Sequence, residues 1–272
     1  MNSIQPTSLL VFLESDLFPP KKIRIMELLK ITEYLDELLD VRSFRDASSN
    51  GLQVEGRKNV DRVAFAVDAC LETFHTAKEL DADMIVVHHG LVWGGVRYIR
   101  GVFSKRVGFL LENDLSLYVA HLPLDAHPEI GNNIQILKML GGEREDFFAE
   151  YEGRKIGVWG KIEPIRLKEL KAKIEDLLET KTFSLDFGKD EVERISVLSG
   201  SGSFAVEEAD QISDCLITGE FRHEAYHIAK ELQFNIIFAG HYATETLGLK
   251  ALMEKVEALG VECEFIENPV PP

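Results

Sequence analysis

Cysteine is scarce in this chain of 272 residues. Cys70, Cys215 and Cys263 stand far apart. They form neither a disulfide framework nor a CxxC metal knuckle, so a reducing, cytoplasmic setting is the simpler expectation. Positive charge is also short. Thirty Lys+Arg face 46 Asp+Glu, a formal net charge of −16. That balance disfavours a nucleic-acid binder working by phosphate neutralisation, and equally an anionic membrane surface as partner. Long apolar runs are missing. The longest near the start is Leu9–Leu13, five residues with no basic residue ahead of them. It is too short to span a membrane and lacks the flank of a signal peptide. There is no GxGxxG or Walker pattern, so the common nucleotide-binding folds lack their signature here.

What is present describes a globular protein. The hydrophobic fraction is 45% and the charged fraction 28%. The length suits one large domain or two intimate ones. Residues 1–25 contain Pro6, Pro19 and Pro20 and show no period. From Met26 an amphipathic helix begins on Leu28, Leu29, Tyr34, Leu35, Leu38 and Leu39. We therefore expect a flexible N-terminal extension over 1–25 and a folded body from 26 onward.

The body alternates short β-rich runs with helices, the pattern of βαβ units and a parallel or mixed sheet. Arg62–Asp68, Met84–His88, Ser116–His121, Lys155–Lys161, Thr182–Phe187, Arg194–Ser199, Cys215–Thr218, Asn235–Ala239 and Val261–Ile266 read as strands. Leu71–Leu80, Lys105–Asn113, Asn132–Leu140, Leu167–Leu178, Glu224–Leu232 and Thr244–Leu259 read as helices. A faint repeat runs through the chain. Val60–Val63 resembles Val192–Ile195, Asp83–Val87 resembles Asp214–Thr218, and Tyr118–His121 resembles Ile237–His241. Four residues past each of these last two histidines stands a carboxylate, Asp125 or Glu245. Duplication of an α/β unit predicts the same strand order in both halves.

Polar residues gather at the ends of the buried strands. His88 and His89 close one, His121 with Asp125 follows another, and His241 with Glu245 follows a third. In α/β sheets ligands bind outside the carboxyl ends of the strands. His241 and Glu245 are i and i+4 and share a helix face. His88 and His89 point to opposite faces of a regular strand, and Gly90 permits a bend that brings both to one site. Imidazoles and carboxylates suit zinc, manganese or iron. These ligands are too many for one open tetrahedral zinc and suit two divalent ions with a bridging carboxylate. Water held between two ions is a nucleophile at neutral pH.

At these residues the chain resembles a known family. Asn50–Val54, Val86–Gly90, His121–Asp125, Thr218–Glu220 and Ala239–Glu245 are similar to the signature blocks of the NIF-three-like family, whose bacterial members carry the label GTP cyclohydrolase I type two homolog. The resemblance runs from about Met26 to the C-terminus. It implies two similar, interlaced three-layer α/β/α domains, with 26–128 plus 241–272 in the first and 129–240 in the second. It also implies a toroidal homohexamer and two metal ions per chain held by His88, His89, Asp125, His241 and Glu245. His121 matches the family's strand-end histidine beside the site, either supporting a ligand or facing substrate, and is read with Glu245 as catalytic. The segment between Asp125 and Gly219 is short, so no inserted middle domain is expected.

The function this implies is metal-dependent hydrolysis of a nucleotide, as in a GTP cyclohydrolase, or of a phosphoester. The alternative is a non-enzymatic metal-binding hexameric scaffold or regulator. Two divalent ions against Asp125 and Glu245 lead us to expect a locally positive pocket for a small anionic substrate. Other features are weaker. Asn50 and Gln53 can orient a ligand or merely make a turn. Gly200–Ser203 is a phosphate cradle or a plain loop. His223 and His227 share a helix face with Glu220 nearby, and Trp93 can wall a pocket.

Overall fold

The computed structural model describes residues 25–96 and 98–271. The expected extension over 1–25 falls outside these residues except for Ile25. The first half runs β1 (Met26–Glu27), α1 (Leu28–Leu38), β2 (Gly51–Val54), β3 (Asn59–Val60), β4 (Arg62–Asp68), α2 (Leu71–Glu79), β5 (Met84–His89), α3 (Gly101–Glu112), β6 (Ser116–Val119), α4 (Leu122–Asp125) and α5 (Asn132–Met139). The second runs β7 (Glu143–Tyr151), β8 (Arg154–Arg166), α6 (Leu167–Leu177), β9 (Phe183–Asp186), β10 (Glu191–Leu198), α7 (Val206–Ile212), β11 (Cys215–Thr218), α8 (His223–Leu232), β12 (Asn235–Phe238), α9 (His241–Thr244), α10 (Thr246–Glu257) and β13 (Glu262–Phe265).

The apolar strands dictate the layers. In β4, Val63, Phe65 and Val67 pack on one face and Ala64 and Ala66 on the other, as the two-residue period of a strand requires. Helices α1 and α10 cover the first face with Ile31, Leu35, Leu249 and Leu252. Helices α2 and α3 cover the second with Phe74, Ala77 and Leu110. The sheet order is β13-β4-β5-β6-β2, parallel except for β2. The second sheet is β7-β8-β10-β11-β12-β9, with β10, β11 and β12 parallel and the others antiparallel to their neighbours.

The order β4-β5-β6-β2 thus recurs as β10-β11-β12-β9, with the same strand directions. The likeness extends to single hydrogen bonds. Asp83 Oδ2 accepts the N–H groups of Asp61 and Arg62 at 2.9 and 3.2 Å. Asp214 Oδ2 accepts those of Glu193 and Arg194 at 3.2 and 2.9 Å. In each half one carboxylate, just before a central strand, satisfies N–H groups at the start of the neighbouring strand. Such groups otherwise lose their partner on burial.

Helices α5 and α10 cross between the sheets. α5 follows β6 yet packs Ile134 and Leu137 with Leu170 and Ile195 of the second sheet's layer. α10 follows β12 yet packs on the first sheet. From α5 through β11 every element belongs to the second sheet or its covering helices, so no middle domain is inserted.

The short elements β1, β3, α4 and α7 were not read from the sequence, and two larger differences matter more. β7 was not anticipated, because Glu143–Asp146 is charged and lacks alternation. It forms through a hairpin whose turn residues Glu152 and Gly153 both have positive φ, 49° and 84°, the geometry two-residue hairpins favour. Its charges lie on an edge strand, where they discourage pairing with another chain. The helix expected over 244–259 is α10, and a separate single turn, α9, precedes it, with Glu245 at the junction. No described helix is long and apolar enough to cross a membrane.

Candidate metal centre

The parallel strands of both sheets direct their carboxyl ends to one place. His88 and His89 end β5. His121 follows β6 and Asp125 ends α4. His241 opens α9, and Glu245 joins α9 to α10. Glu245 is buried and central. Its Oε1 lies 3.1 Å from His241 Nε2 and 3.6 Å from His88 Nε2, and its Oε2 lies 3.3 Å from His89 Nε2. Asp125 Oδ2 lies 3.3 Å from His88 Nε2. The His88 and His89 rings leave opposite faces of β5 but reach round its end, with centroids 4.8 Å apart. Gly90 matters here for space: a Cβ would sit 2.4 Å from Val119 Cγ2 and 2.7 Å from the Gln53 amide.

Every imidazole is oriented by its other nitrogen. His88 Nδ1 donates to the Ala120 carbonyl at 2.7 Å. His89 Nδ1 donates to Asp68 at 2.9 Å, His121 Nδ1 to Asp46 at 2.8 Å, and His241 Nδ1 to Glu220 at 3.0 Å. Each acceptor fixes the tautomer whose Nε2 carries the lone pair, the outer arrangement usual for metal-binding histidines. Asp125 is held in the same way, its Oδ1 accepting from Asn132 Nδ2 at 2.9 Å and Ser199 Oγ at 2.8 Å.

The site fits a cation better than it fits itself. His88 Nε2 and Glu245 Oε2 are buried without a hydrogen-bond partner, a costly condition unless something else satisfies them. Ligands about 2.1 Å from a shared ion stand about 3.0–3.4 Å apart, close to the spacings found here. Two groups have ligand atoms within 4.8 Å of one another: His88, His89 and His121, and His89, His241 and Glu245. The proton affinities agree. Burial opposes a charge on His88, but the carboxylates of Asp125 and Glu245 overcome it and raise its pKa to about 10. Burial opposes His241 likewise, and hydrogen bonding and charge from Glu245 and Glu220 raise it to about 9. Burial disfavours the Asp125 carboxylate, yet His88 holds its pKa well below the usual range. A site that draws protons this strongly is one that favours positive charge.

The duplicated halves explain why there is one centre and not two. Just past β11, Gly219 and Glu220 correspond to His88 and His89 at the end of β5, and Gly200, just past β10, corresponds to Asp68. The glycines there clear space for the converging side chains. A Cβ on Gly200 would lie 2.3 Å from Glu245 Oε1, and one on Gly219 would lie 2.6 Å from the Gly200 carbonyl.

All six candidate residues, His88, His89, His121, Asp125, His241 and Glu245, come together. Asp46 and Asp68 were missed. Asp68 had a signal, a charged end on a buried strand beside the histidine pair; Asp46 lies in irregular chain with none. Glu220 belongs to His241 and not to the His223–His227 pair, whose rings meet edge-on at 6.4 Å, with Tyr226 edge-on to His227 at 5.3 Å. Asn50 and Gln53 hold loops. Asn50 Oδ1 accepts the His121 N–H, and Gln53 Oε1 accepts those of Leu91 and Val92. Gly200–Ser203 is a wall, with the N–H groups of Gly200 and Gly202 given to Thr244 and Thr218. Trp93 stands edge-on to His121 at 5.0 Å.

Residues 26–271 match the family described as Duf34/NIF3 (NGG1p interacting factor 3). A protein of Pyrococcus abyssi named GTP cyclohydrolase 1 type 2 homolog is 51% identical over 90% of this chain and 99% of its own length. One of the same name from Haemophilus influenzae is 37% identical over 90% of this chain and 100% of its own. Among solved structures, protein ybgI, titled as of unknown function, matches with a TM-score of 0.86 at 34% identity, over 91% of this chain and 100% of its own. TTHA1606 of Thermus thermophilus matches at 0.83 and 37% identity, over 90% and 99%. Fold, strand-end ligands and sequence all lead to one assignment: the chain belongs to the Duf34/NIF3 family.

Proposed function

We propose that this protein is a hydrolase that uses two divalent ions, zinc, iron or manganese, on a nucleotide or phosphoester. The carrying observation is the convergence of partnerless, buried His88 Nε2 and Glu245 Oε2 with the Nε2 atoms of His89 and His241. His88, His89, Asp125, His241 and Glu245 would hold the ions, and the Glu245 carboxylate lies within 3.6 Å of the His88, His89 and His241 rings. When bound, the ions supply a nucleophilic water at neutral pH and counter the negative charge of the transition state.

The chain's own groups do the rest. Asp46, Asp68, Glu220 and the Ala120 carbonyl hold the imidazoles in place. Two clefts reach the centre, one past Trp93 and His121 and the other past His89. In phosphoester hydrolysis the water oxygen bonds to phosphorus and the bond to the leaving alcohol breaks. One water proton ends on that alcohol and the other on the phosphate. We assign the proton on the leaving group to His121, which lines the cleft and is paired with Asp46. Its ligand atom also lies near those of His88 and His89. His121→Ala separates these roles: unchanged metal content with lost turnover supports proton transfer, and lost metal supports ligation.

The charge count corrects the expectation of a positive pocket. Asp46, Asp68 and Glu220 join Asp125 and Glu245 around the imidazoles, five carboxylates in all. Two divalent ions leave this cluster near −1, so anion binding needs the cations in the clefts, Lys181 and Arg222. We also propose the homohexamer. Val96, Tyr98, Ile99 and Val102 are 51–71% exposed, an apolar surface of the kind that marks contacts between subunits. Light scattering giving six chains supports it, and a monomer refutes it. A hydrolysis screen over nucleotides and phosphoesters with metal-loaded protein tests the activity; a protein that holds metal but turns over none of them is the scaffold instead.

A further inference from the structure

The cleft past His89 has features the metal centre does not explain. Its volume is about 680 Å³, within the range of small-ligand sites. One end is formed by His89 and His241, and part of the wall by Phe183, Phe221 and Phe238. Phe238 is buried, but Phe183 and Phe221 are 54% and 43% exposed. The Phe183 and Phe238 rings lie 20° from parallel at 5.7 Å. Phe221 stands edge-on to them at 5.5 and 5.4 Å. The local chain produces this arrangement: Phe183 opens β9 opposite Phe238, and Phe221 follows Glu220, the residue that holds His241. Lys181 lines the same cleft. Its contact with Glu175 is 3.4 Å long and its side chain is 87% exposed, so that pairing holds it weakly.

We propose that this cleft binds the planar base of a nucleoside phosphate, resting against Phe183 and Phe221 with the phosphate-bearing part toward His89 and His241. The proposal rests on the hydrolase reading above and specifies its substrate as one with an aromatic ring. The two ends of the cleft ask for different chemistry. Exposed aromatic faces favour a flat ring, which gains both apolar contact and stacking. Lys181 favours an anion. A simple phosphate leaves the phenylalanines idle, and a purely apolar molecule leaves the charges unmatched. Glu220 and Phe221 are adjacent, so one short loop both seats the ring and holds a ligand imidazole.

Calorimetric titration of the metal-loaded protein tests this, with AMP, CMP, ribose 5-phosphate and inorganic phosphate as probes. Both nucleotides are expected to bind on the order of tenfold tighter than ribose 5-phosphate, since every base has a face to stack. Phe183→Ala and Phe221→Ala each reduce nucleotide affinity on the order of tenfold, leaving ribose 5-phosphate affinity and metal content unchanged. Phe183→Tyr keeps the ring and the affinity. Nucleotides that bind no tighter than ribose 5-phosphate, or alanine variants with full nucleotide affinity, overturn the proposal. Ring-dependent binding without hydrolysis of any nucleotide upholds this binding site and overturns the hydrolase reading.

Discussion

Gly200→Ala separates the architecture of the metal centre from that of the fold. Gly200 has φ +59°, and the added Cβ would lie 2.3 Å from Glu245 Oε1 and 3.1 Å from His241 Nε2. Two costs follow. An L side chain in the left-handed region costs about 1–2 kcal/mol. The contact with Glu245 is roughly 1 Å inside the 3.4 Å at which ordinary contact begins. The atom that must give way is the end of a side chain, so the fold yields cheaply but the shared ligand moves. Gly141 supplies the control: its φ is +83°, and an added Cβ meets nothing within 4 Å. Both alanine variants should therefore lose about 1–2 kcal/mol in chemical denaturation of metal-free protein. Only Gly200→Ala should also lose metal affinity, by at least the 10- to 100-fold typical of disturbing a ligand's support. Competition against a chromophoric chelator measures that loss. A Gly200→Ala protein with wild-type metal affinity refutes the reasoning.

Other outcomes follow from the same structure. Asp68→Asn should weaken metal binding about 10- to 100-fold, as followed by metal competition, whereas Asp46→Asn, which releases His121 and not an ion-holding imidazole, should lower turnover with metal content retained; circular dichroism should show both folds intact. The pKa values of His88 and His241 are raised to about 10 and 9 in the metal-free fold, above the ordinary 6.5. Their contribution to stability is full below pH 6.5 and lost as pH rises through 9 to 10. Denaturation of chelator-treated protein from pH 6 to 10 should show that decline, and a flat profile contradicts it. Burial alone raises the Asp214 pKa, but Arg194 and the N–H groups of residues 193 and 194 lower it below 3.8. That stabilisation is present above the ordinary value and disappears as pH falls through the folded one, so Asp214→Asn should be destabilised at pH 7 with a smaller further loss on acidification than wild type.

The ligand residues were legible because their chemistry and their place coincide. Histidine at the polar end of a run such as Met84–Val87 has few structural reasons to be there. The repeat was legible because Asp83 and Asp214 do the same local work before each strand. Three things were not. β7 depends on a partner strand across a turn, and its charged start hides the pairing. The separate turn α9 ahead of α10 is not marked by any glycine or proline between them. Asp46 reaches His121 across 75 residues, and no local pattern marks such a contact. The positive pocket was expected from only two carboxylates; the structure adds three behind the imidazoles.

Elemental analysis of the purified protein, beside Glu245→Gln, tests the central claim most directly. Close to two divalent ions per chain in the wild type, and a clear loss in the variant, are what these distances predict. A wild-type chain that holds no divalent ion, and takes up none when zinc, iron or manganese is supplied, contradicts it.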